Sequence, residues 1–477
     1  MLPVLVLVPL ALAVLAFATP WPRTRPWLVF GGGLGHATLT AVAIAHAWPP
    51  ALGGWLVLDP LGKLVLGFVS LLYLLCSMYV PGYLAERVEG RTRVFCAALL
   101  VFLAMMSLVT LSHHLGLMWV AIEASTLSSA PLLYFNRNPR SLEATWKYLV
   151  IGSVGIALAL LGSFFLAYSA LLGGMGSSLL FEDLVRDAPR LSRPWLHSAF
   201  VLLLAGYGTK MGLAPMHTWK PDAYGEAPGV VGALLAGGLT NCAFLAILRF
   251  LQVCNAAGEG AFAREILLAI GLFSMAVAGV FMARQRDYKR MLAYSSVEHM
   301  GILVVGVGIG GMGTVGALLH LLNNGLCKGV LFLSAGNLHR AYGSKVTDDV
   351  TGAIRHLPAS GALFLAGFFA ITGSPPFGPF LSEFTILSAA FTQSRYLTAA
   401  LFLVMLAVVF IGMGATVLRV VQGVPPRAIA ERPHHESFLT VAPALCFLGL
   451  VLLLGVYIPS PMNDLLHEAA SFLEVQQ

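Results

Sequence analysis

Continuous apolar runs of about 20 residues constrain this chain more than any other feature. An α-helix needs about that length to cross the hydrocarbon core of a bilayer, whereas the strands of membrane barrels alternate apolar and polar residues over about 10 positions. Of the 477 residues, 58% are hydrophobic and only 10% are charged, while soluble domains carry about 25% charged residues. The sequence therefore predicts an all-α polytopic membrane protein and excludes a water-soluble enzyme or a disordered chain.

About fourteen apolar windows are candidates for transmembrane helices. The first window resembles a signal peptide in length, but its first charges, Arg23 and Arg25, follow the apolar run instead of preceding it. We therefore interpret it as a retained helix. The windows cover residues 2–19, 26–47, 61–80, 94–112, 115–135, 146–170, 196–217, 227–251, 263–283, 297–312, 313–338, 358–391, 397–421 and 438–458.

The basic residues of the predicted loops are unevenly distributed. Most of them follow odd-numbered windows, and positively charged loops favour the cytoplasm. This bias predicts a multi-pass protein of the bacterial inner membrane with both termini on the outer side. The net charge of +6 is spread over short loops and indicates no nucleic-acid partner.

The six cysteines lie in or beside apolar windows and form no CxxC pair. We expect them to be small buried hydrophobic residues, without a disulfide or a metal. The chain is therefore predicted to hold no cofactor, whether iron–sulfur cluster or haem, of its own.

Several ionisable residues fall inside the apolar windows. All but two of the 28 basic residues lie in predicted loops or within three residues of a window's end, and the exceptions are Lys210 and Lys328. A charge at the bilayer centre costs about 2.5–3.5 kcal/mol, so pairing or hydration must offset it. Other ionisable residues within windows or at their edges include Glu123, Glu383, His299 and His320.

Two interpretations of these residues remain open. In one, Glu123 and Lys210 form a buried ion pair that only locks helices together. In the other, the residues form a proton path, because a buried lysine changes its proton affinity when its partner moves. Buried ion pairs stabilise proteins poorly compared with apolar packing, so several of them favour the proton path.

Residue spacing adds two further indications. His320, Asn324 and Lys328 are four residues apart and share one face of a helix. Prolines interrupt two windows beside an ionisable residue, with Pro215 after Lys210 and Pro376 before Glu383. Interrupted helices at membrane depth are typical of transporters built from inverted repeats. The spacing of these breaks predicts two five-helix repeats, helices 4–8 and 9–13, with helices 7 and 12 broken.

Four segments resemble the antiporter-like, proton-conducting membrane subunits of respiratory complex I, Mrp-type cation/proton antiporters and membrane-bound nickel–iron hydrogenases. They are GTKMGLAPMHTWKPDAYGEAP, RDYKRMLAYSSVEHMG, HLLNNGLCKGVLFLSAGN and ITGSPPFGPFLSEF. The EHMG variant, the second break and Glu383 are most similar to hydrogenase-4 component F. The chain is therefore predicted to have four regions. They are N-terminal helices 1–3 (1–93), a first proton-channel repeat (94–251), a second proton-channel repeat (263–421), and a C-terminal helix with a short tail (438–477).

The resemblance implies roles for the residues that match the family's motifs. It implies a proton relay through Glu123, Lys210, Lys328, Glu383, His320 and His299, supported by His217, Asn324, Pro215 and Pro376. The chain departs from the pattern twice. The eighth-helix base of several members is matched by Ala236, and an eleventh-helix histidine by Asn324. Both departures weaken the connection between Lys210 and Lys328.

The leading hypothesis is a proton-translocating subunit of a hydrogenase-4 or formate hydrogenlyase complex, partnered by other membrane subunits and, through them, by a peripheral redox arm. A complex I (NADH:quinone oxidoreductase) subunit is the alternative within the same class. A sodium/proton antiporter subunit of the Mrp type and an inert membrane scaffold are alternatives of other classes.

Overall fold

The computed structural model describes residues 1–85, 92–176, 178–431 and 435–474. Within these ranges the regular secondary structure is helical. The first helices are α1 (Val4–Ala18), α2 (Arg25–Ala45), α3 (Pro60–Leu84), α4 (Thr92–Leu111), α5 (Leu115–Leu133), α6 (Pro139–Leu172), α7 (Phe181–Arg186), α8 (Arg193–Met211), α9 (Trp219–Glu226), α10 (Gly229–Leu234) and α11 (Thr240–Ala256). They are followed by α12 (Gly260–Met282), α13 (Tyr288–Ile309), α14 (Met312–Tyr342), α15 (Ala353–His356), α16 (Pro358–Ile371), α17 (Gly378–Thr392), α18 (Tyr396–Val421), α19 (Arg427–Ala430), α20 (Phe438–Val456) and α21 (Ser460–Leu473).

Eleven of the described helices are long and apolar enough to cross a membrane. They correspond to eleven of the fourteen predicted windows. The first window forms only a 15-residue helix, α1. The seventh and twelfth windows each form a helix that is interrupted. The all-helical, multi-pass architecture is thereby confirmed, while the number of crossings and the repeat symmetry stay predictions.

Both interruptions lie at the predicted prolines. Helix α8 ends at Met211 because Gly212 takes a left-handed conformation, with φ of +82°. A residue with a Cβ is strained in that conformation. Helix α9 begins at Trp219, after a loop of residues 212–218 that contains Pro215. The second interruption separates α16 from α17 and contains Pro376.

The centre of the molecule is formed by α10, α11, α13 and α14, which are buried on all sides. A π-helical turn, Leu235–Leu239, joins α10 to α11 and includes Ala236. Helix α14 packs against α13, α16, α17 and α20. Outer helices such as α6 and α18 expose large apolar side chains, which is typical of surfaces that face lipid. The polar residues of α14 therefore lie inside the protein rather than toward lipid.

Four basic residues predicted to lie in loops are buried in helices instead, and one of them is Arg25, 4% exposed, at the first position of α2. The exposed fractions of Lys220, Lys289 and Arg249 are 0%, 1% and 1%. Helix α13 begins at Tyr288, nine residues before its apolar window, because its polar first turns pack against α9 and α14. The loop assignment was therefore wrong for these residues. The predicted loop residues Arg87, Arg91 and Arg432 lie outside the described ranges.

One expectation about the cysteines was also wrong. Five of them are buried, but Cys446 is exposed on α20. Its helix is long enough to cross the membrane and turns only part of its surface toward the protein. Position within an apolar window therefore does not distinguish a side chain in the core from one on the lipid-facing surface.

A buried ionic cluster ties α3, α11 and the α4–α5 connection together at one end of the helices. The Asp59 carboxylate accepts from Arg249 Nη1 at 2.6 Å and from the Gly62 N–H at 2.6 Å, and His113 Nε2 lies 2.8 Å away. Burial alone would raise the pKa of Asp59, but the Arg249 guanidinium and the His113 and Gly62 hydrogen bonds outweigh burial and lower it. We call Asp59, His113 and Arg249 the end cluster.

The C-terminal helix α21 packs near the same end. Gln252 Nε2 and Asn255 Nδ2 on α11 donate to the carbonyl oxygens of Phe472 and Leu473 at 2.8 and 2.9 Å. Two carbonyl groups at the end of α21 thus gain the partners that a helix terminus lacks. The predicted short tail is a helix fixed to the core.

Candidate functional site

The first group of site residues joins α5 to α8. Lys210 Nζ donates to Glu123 Oε2 at 3.1 Å and to Thr126 Oγ1 at 2.6 Å. Lys210 is buried, whereas the Glu123 side chain keeps 18% of its exposure. Gly152 leaves room for the ammonium, because a Cβ at that position would lie 2.8 Å from Nζ. The structure thus brings together the two residues that the sequence analysis proposed as a pair.

The interruption after Lys210 is stabilised by hydrogen bonds from neighbouring side chains. Trp219 Nε1 donates to the Thr209 carbonyl at 2.8 Å, and Ser274 Oγ accepts from the Ala214 N–H at 3.0 Å. Backbone groups freed at membrane depth need such partners. The interruption therefore stays packed and keeps Lys210 at the end of a helix.

His217 lies in the same interruption but outside this hydrogen-bonded group. Its ring lies 6.5 Å from that of Phe281 and 6.2 Å from that of Tyr294, measured between centroids. Its Nδ1 is buried without a hydrogen-bond partner among the described residues. The structure places His217 in an aromatic environment, apart from the ion pair.

A second buried lysine follows the interruption and was missed by the sequence analysis. Lys220 Nζ donates to Ser296 Oγ at 3.1 Å and lies 5.8 Å from the centre of the Tyr224 ring. The signal that could have identified it is the shortness of the segment between two apolar windows. That segment forms α9, whose Lys220 is buried against α13 rather than exposed in a loop.

Lys328 lies on α14 in the middle of the molecule. Its Nζ donates to Ser295 Oγ at 2.8 Å and to the Leu292 carbonyl at 3.3 Å. Ser295 and Ser296 are consecutive residues of α13, so Lys328 and Lys220 are held by neighbouring hydroxyl groups. This proximity of the two lysines was not foreseen from the sequence.

The predicted stripe on α14 lies on one continuous, buried helix. His320 Nε2 is 2.9 Å from His299 Nδ1, and His320 Nδ1 is 2.9 Å from Ser382 Oγ. Asn324, between His320 and Lys328, has an amide without a hydrogen-bond partner in the described part of the chain. The stripe therefore connects α13 and α17 through His320, while Asn324 makes no direct link.

Two buried carboxyl groups complete this region. Glu298, which the sequence analysis did not select, has an oxygen 3.8 Å from His299 Nε2. Glu383 packs over Gly373, where a Cβ would lie 2.2 Å from its Oε2, and its Oε1 lacks a hydrogen-bond partner among the described residues. The only sequence signal for Glu298 was its place in the EHMG variant.

Three of these groups have the composition of a metal site. One ligand atom each from His299, His320 and Glu383 lies within 4.8 Å of the others. Two imidazoles and a carboxylate are a ligand set that zinc accepts. The same groups can each bind and release a proton, so the arrangement fits a proton path equally.

Taken in order, the site is a row of titratable groups and two serine hydroxyls through the centre of the protein. It begins at the partly exposed pair of Glu123 and Lys210 and ends at Glu383. The residues in between, in order, are Lys220, Ser296, Ser295, Lys328, Glu298, His299 and His320. Direct hydrogen bonds join some neighbours. Among the described residues, none joins Lys210 to Lys220, Ser296 to Ser295, or Lys328 to the histidines.

Comparison with known proteins identifies the family to which this chain belongs. A family model described as NADH:quinone oxidoreductase/Mrp antiporter, TM, matches residues 112–410. A hydrogenase-4 component F homolog of Methylacidiphilum infernorum (isolate V4) is 35% identical over 422 residues, which cover 86% of this chain and 87% of the relative. NADH-quinone oxidoreductase subunit N of Desulforudis audaxviator (strain MP104C) is 31% identical over 466 residues, which cover 95% and 88%.

The fold has the same relatives. A chain of the Mrp complex from Dietzia sp. DQ12-45-1b superposes with a TM-score of 0.86 at 20% identity, over 99% of this chain and 97% of that one. A chain of respiratory complex I from Thermus thermophilus superposes with a TM-score of 0.84 at 24% identity, over 99% of both chains. Because the family model covers more than half of the sequence, this chain belongs to the transmembrane family of NADH:quinone oxidoreductase and Mrp antiporter subunits.

Proposed function

We propose that this chain is the proton-translocating membrane subunit of a redox-driven complex of the hydrogenase-4 or formate hydrogenlyase type. The observation that carries the proposal is the buried row of titratable groups from Glu123 to Glu383. Burial of these groups is costly, and among the described residues of the row only Lys210 has a carboxylate within ion-pair distance. A path for protons accounts for all of them together.

The first step takes place at the ion pair. The Lys210 ammonium is stabilised by the Glu123 carboxylate and the Thr126 hydroxyl. When a charge change in a neighbouring subunit draws Glu123 away, the buried ammonium loses its counter-charge, which favours release of its proton into the row. The partial exposure of Glu123 makes it the member of the pair that a partner subunit can reach.

The second part of the row passes the proton on. Lys328 accepts it and releases it toward His299 and His320, which are in hydrogen-bond contact with each other. Each imidazole binds a proton at one nitrogen and releases one from the other. Glu383, next to this histidine pair, is the last group before the proton leaves.

The proposal extends to orientation and partners. With both termini on the outer side, the loops that follow odd-numbered windows face the cytoplasm. Relatives in solved structures are chains of multi-subunit membrane complexes. By analogy, other membrane subunits contact this chain, and a peripheral redox arm supplies the driving force through them.

Replacing Lys210 with Ala in the intact complex tests the proposal. We expect redox-driven proton translocation into sealed vesicles to fall by about 100-fold, the size of effect that loss of a proton-transfer group produces. Lys63→Ala, a lysine of the first turn of α3 outside the row, is the matched control. Normal assembly together with unchanged translocation in Lys210→Ala would contradict the proposal.

A complex I membrane subunit is the second candidate, favoured by the similarity to NADH-quinone oxidoreductase subunit N along nearly the whole chain. The two candidates share the proton path and differ in their partners. Purification of the complex separates them, because nickel–iron hydrogenase subunits co-purify in the first case and NADH dehydrogenase subunits in the second. Sodium-driven proton exchange without any redox substrate would instead favour the Mrp class.

A further inference from the structure

We propose that Lys220 carries protons between Lys210 and Lys328 and supplies the base that is missing at Ala236. The inference rests on the proposed function and names a further residue of the same path. Ala236 lies in the π-helical turn before α11 and offers no titratable group. Without another carrier, the row has a gap between its first two predicted lysines.

The surroundings of Lys220 are those of a carrier rather than of a structural ion pair. The residue is fully buried. No carboxylate of the described residues lies within ion-pair distance of its ammonium, which instead contacts the Ser296 hydroxyl and the face of Tyr224. An ammonium held only by neutral groups costs less to discharge than one locked to a carboxylate.

The path of the side chain points back toward Lys210. The Lys220 chain crosses the interruption directly over Gly212, where a Cβ would lie 2.1 Å from Lys220 Cε and 2.7 Å from Nζ. Gly212 is the second residue after Lys210 and the left-handed cap of α8. The glycine therefore serves twice, since it ends the helix and leaves space for the lysine.

The far side of Lys220 connects to Lys328 through two serines. Ser296 accepts from Lys220, and the preceding Ser295 accepts from Lys328. A hydroxyl group accepts one hydrogen bond while it donates another. Adjacent serines that each contact a different buried lysine therefore bring the two ammonium groups to neighbouring positions along α13, although no hydrogen bond joins the two hydroxyls among the described residues.

The competing explanation is that Lys220 supplies only a fixed positive charge. Substitution with arginine distinguishes this role from that of a proton carrier. Arginine keeps the charge and the donors but does not release its proton in proteins. A carrier role therefore fails in Lys220→Arg, while a purely electrostatic role survives. Lys220→His provides a carrier with an ordinary pKa of about 6.5.

The experiment measures redox-driven proton translocation in vesicles that contain the assembled complex, with Lys63→Met as the control. We expect Lys220→Met and Lys220→Arg to lose about 100-fold, and Lys220→His to keep measurable translocation that is greatest near pH 6–7. Subunit content after purification reports assembly, and Lys220→Arg keeps the test valid if Lys220→Met does not assemble.

Two outcomes would overturn the inference. Wild-type translocation in an assembled Lys220→Met complex excludes any role of Lys220 in the path. Wild-type translocation in Lys220→Arg means that Lys220 supplies only a positive charge. If Lys210→Ala abolishes translocation while either of these holds, the inference alone has failed. If Lys210→Ala also translocates normally, the proposed function has failed with it.

Discussion

The two halves of the row hold their lysines in different ways. In the first half, Lys210 is paired with the Glu123 carboxylate at 3.1 Å. In the second half, Lys328 contacts a hydroxyl and a carbonyl, and no carboxylate in the described ranges lies within ion-pair distance. Under the proposed function, the Glu123–Lys210 pair would act as an electrostatic latch, an ion pair that a neighbouring charge can open. The second half would have no such latch and would respond to the arrival of the proton itself.

The largest expected effect comes from breaking the latch. Glu123→Gln keeps the shape and a hydrogen-bond acceptor but removes the charge that holds Lys210. We expect redox-driven translocation to fall by about 100-fold, with Glu123→Asp retaining part of the activity. The same vesicle assay measures it, and Glu143→Gln on the exposed surface of α6 is the control. Equal activity of Glu123→Gln and wild type would mean that the first half has no latch.

Removing the hydroxyl partners sharpens the comparison. Ser295→Ala leaves Lys328 with only a carbonyl oxygen, and an unsatisfied buried donor costs about 1–3 kcal/mol, so we expect about a tenfold loss of translocation. Thr126→Ala leaves Lys210 with its carboxylate, and we expect about a threefold loss. A larger loss in Thr126→Ala than in Ser295→Ala would contradict the difference between the halves.

The carboxyl group at the end of the row should give a smaller effect than the latch. Glu383 is not the ion-pair partner of a lysine. Glu383→Gln therefore slows proton exit but leaves no lysine without its counter-charge. We expect about a tenfold loss of translocation, smaller than the roughly 100-fold or more that a proton-transfer group contributes. A loss as large as that of Glu123→Gln, measured in parallel, would mean that the two carboxyl groups have equivalent roles.

The end cluster lies outside the row and should affect stability instead. In Asp59→Asn the buried Arg249 loses its counter-charge, and we expect thermal unfolding of the purified complex at lower temperature, since breaking a buried pair costs about 3–5 kcal/mol. Among all the variants, Asp59→Asn should show the smallest change in translocation per assembled complex.

The pH dependence of this effect has a definite sign. Because the folded-state pKa of Asp59 is lowered, its stabilisation is present in full above the ordinary value of about 3.9 and is lost as the pH falls below it. The difference between wild type and Asp59→Asn should therefore shrink in acid. A difference that grows as the pH falls below that value would contradict the assignment.

The sequence predicted the helices well because burial in lipid depends on local composition. A run of about 20 apolar residues crosses a membrane whatever its partners are, and prolines mark where a helix is interrupted. The pattern did not predict which side of each helix faces the core. Cys446 illustrates this, since it lies in an apolar window and yet is exposed on α20.

The site was predicted only where a charge interrupts an apolar run. Lys210 and Lys328 stand out in this way. Lys220 and Lys289 lie between windows and Arg249 lies near the end of one, so all three look like loop residues. Their burial depends on partners far away in the chain, such as Asp59, which is 190 residues from Arg249. No local pattern contains that information, so these residues could be recognised only in three dimensions.

The π-helical turn before α11 sets the direction in which the side chains of α11 point around the helix axis. Each residue of an α-helix advances the phase by about 100°, and a π turn accommodates one additional residue. Shortening Leu235–Leu239 by one position would restore a regular helix and swing Arg249 and Gln252 away from their partners. The hydrogen bonds that hold the C-terminal helix therefore depend on a single irregular turn deep in the protein.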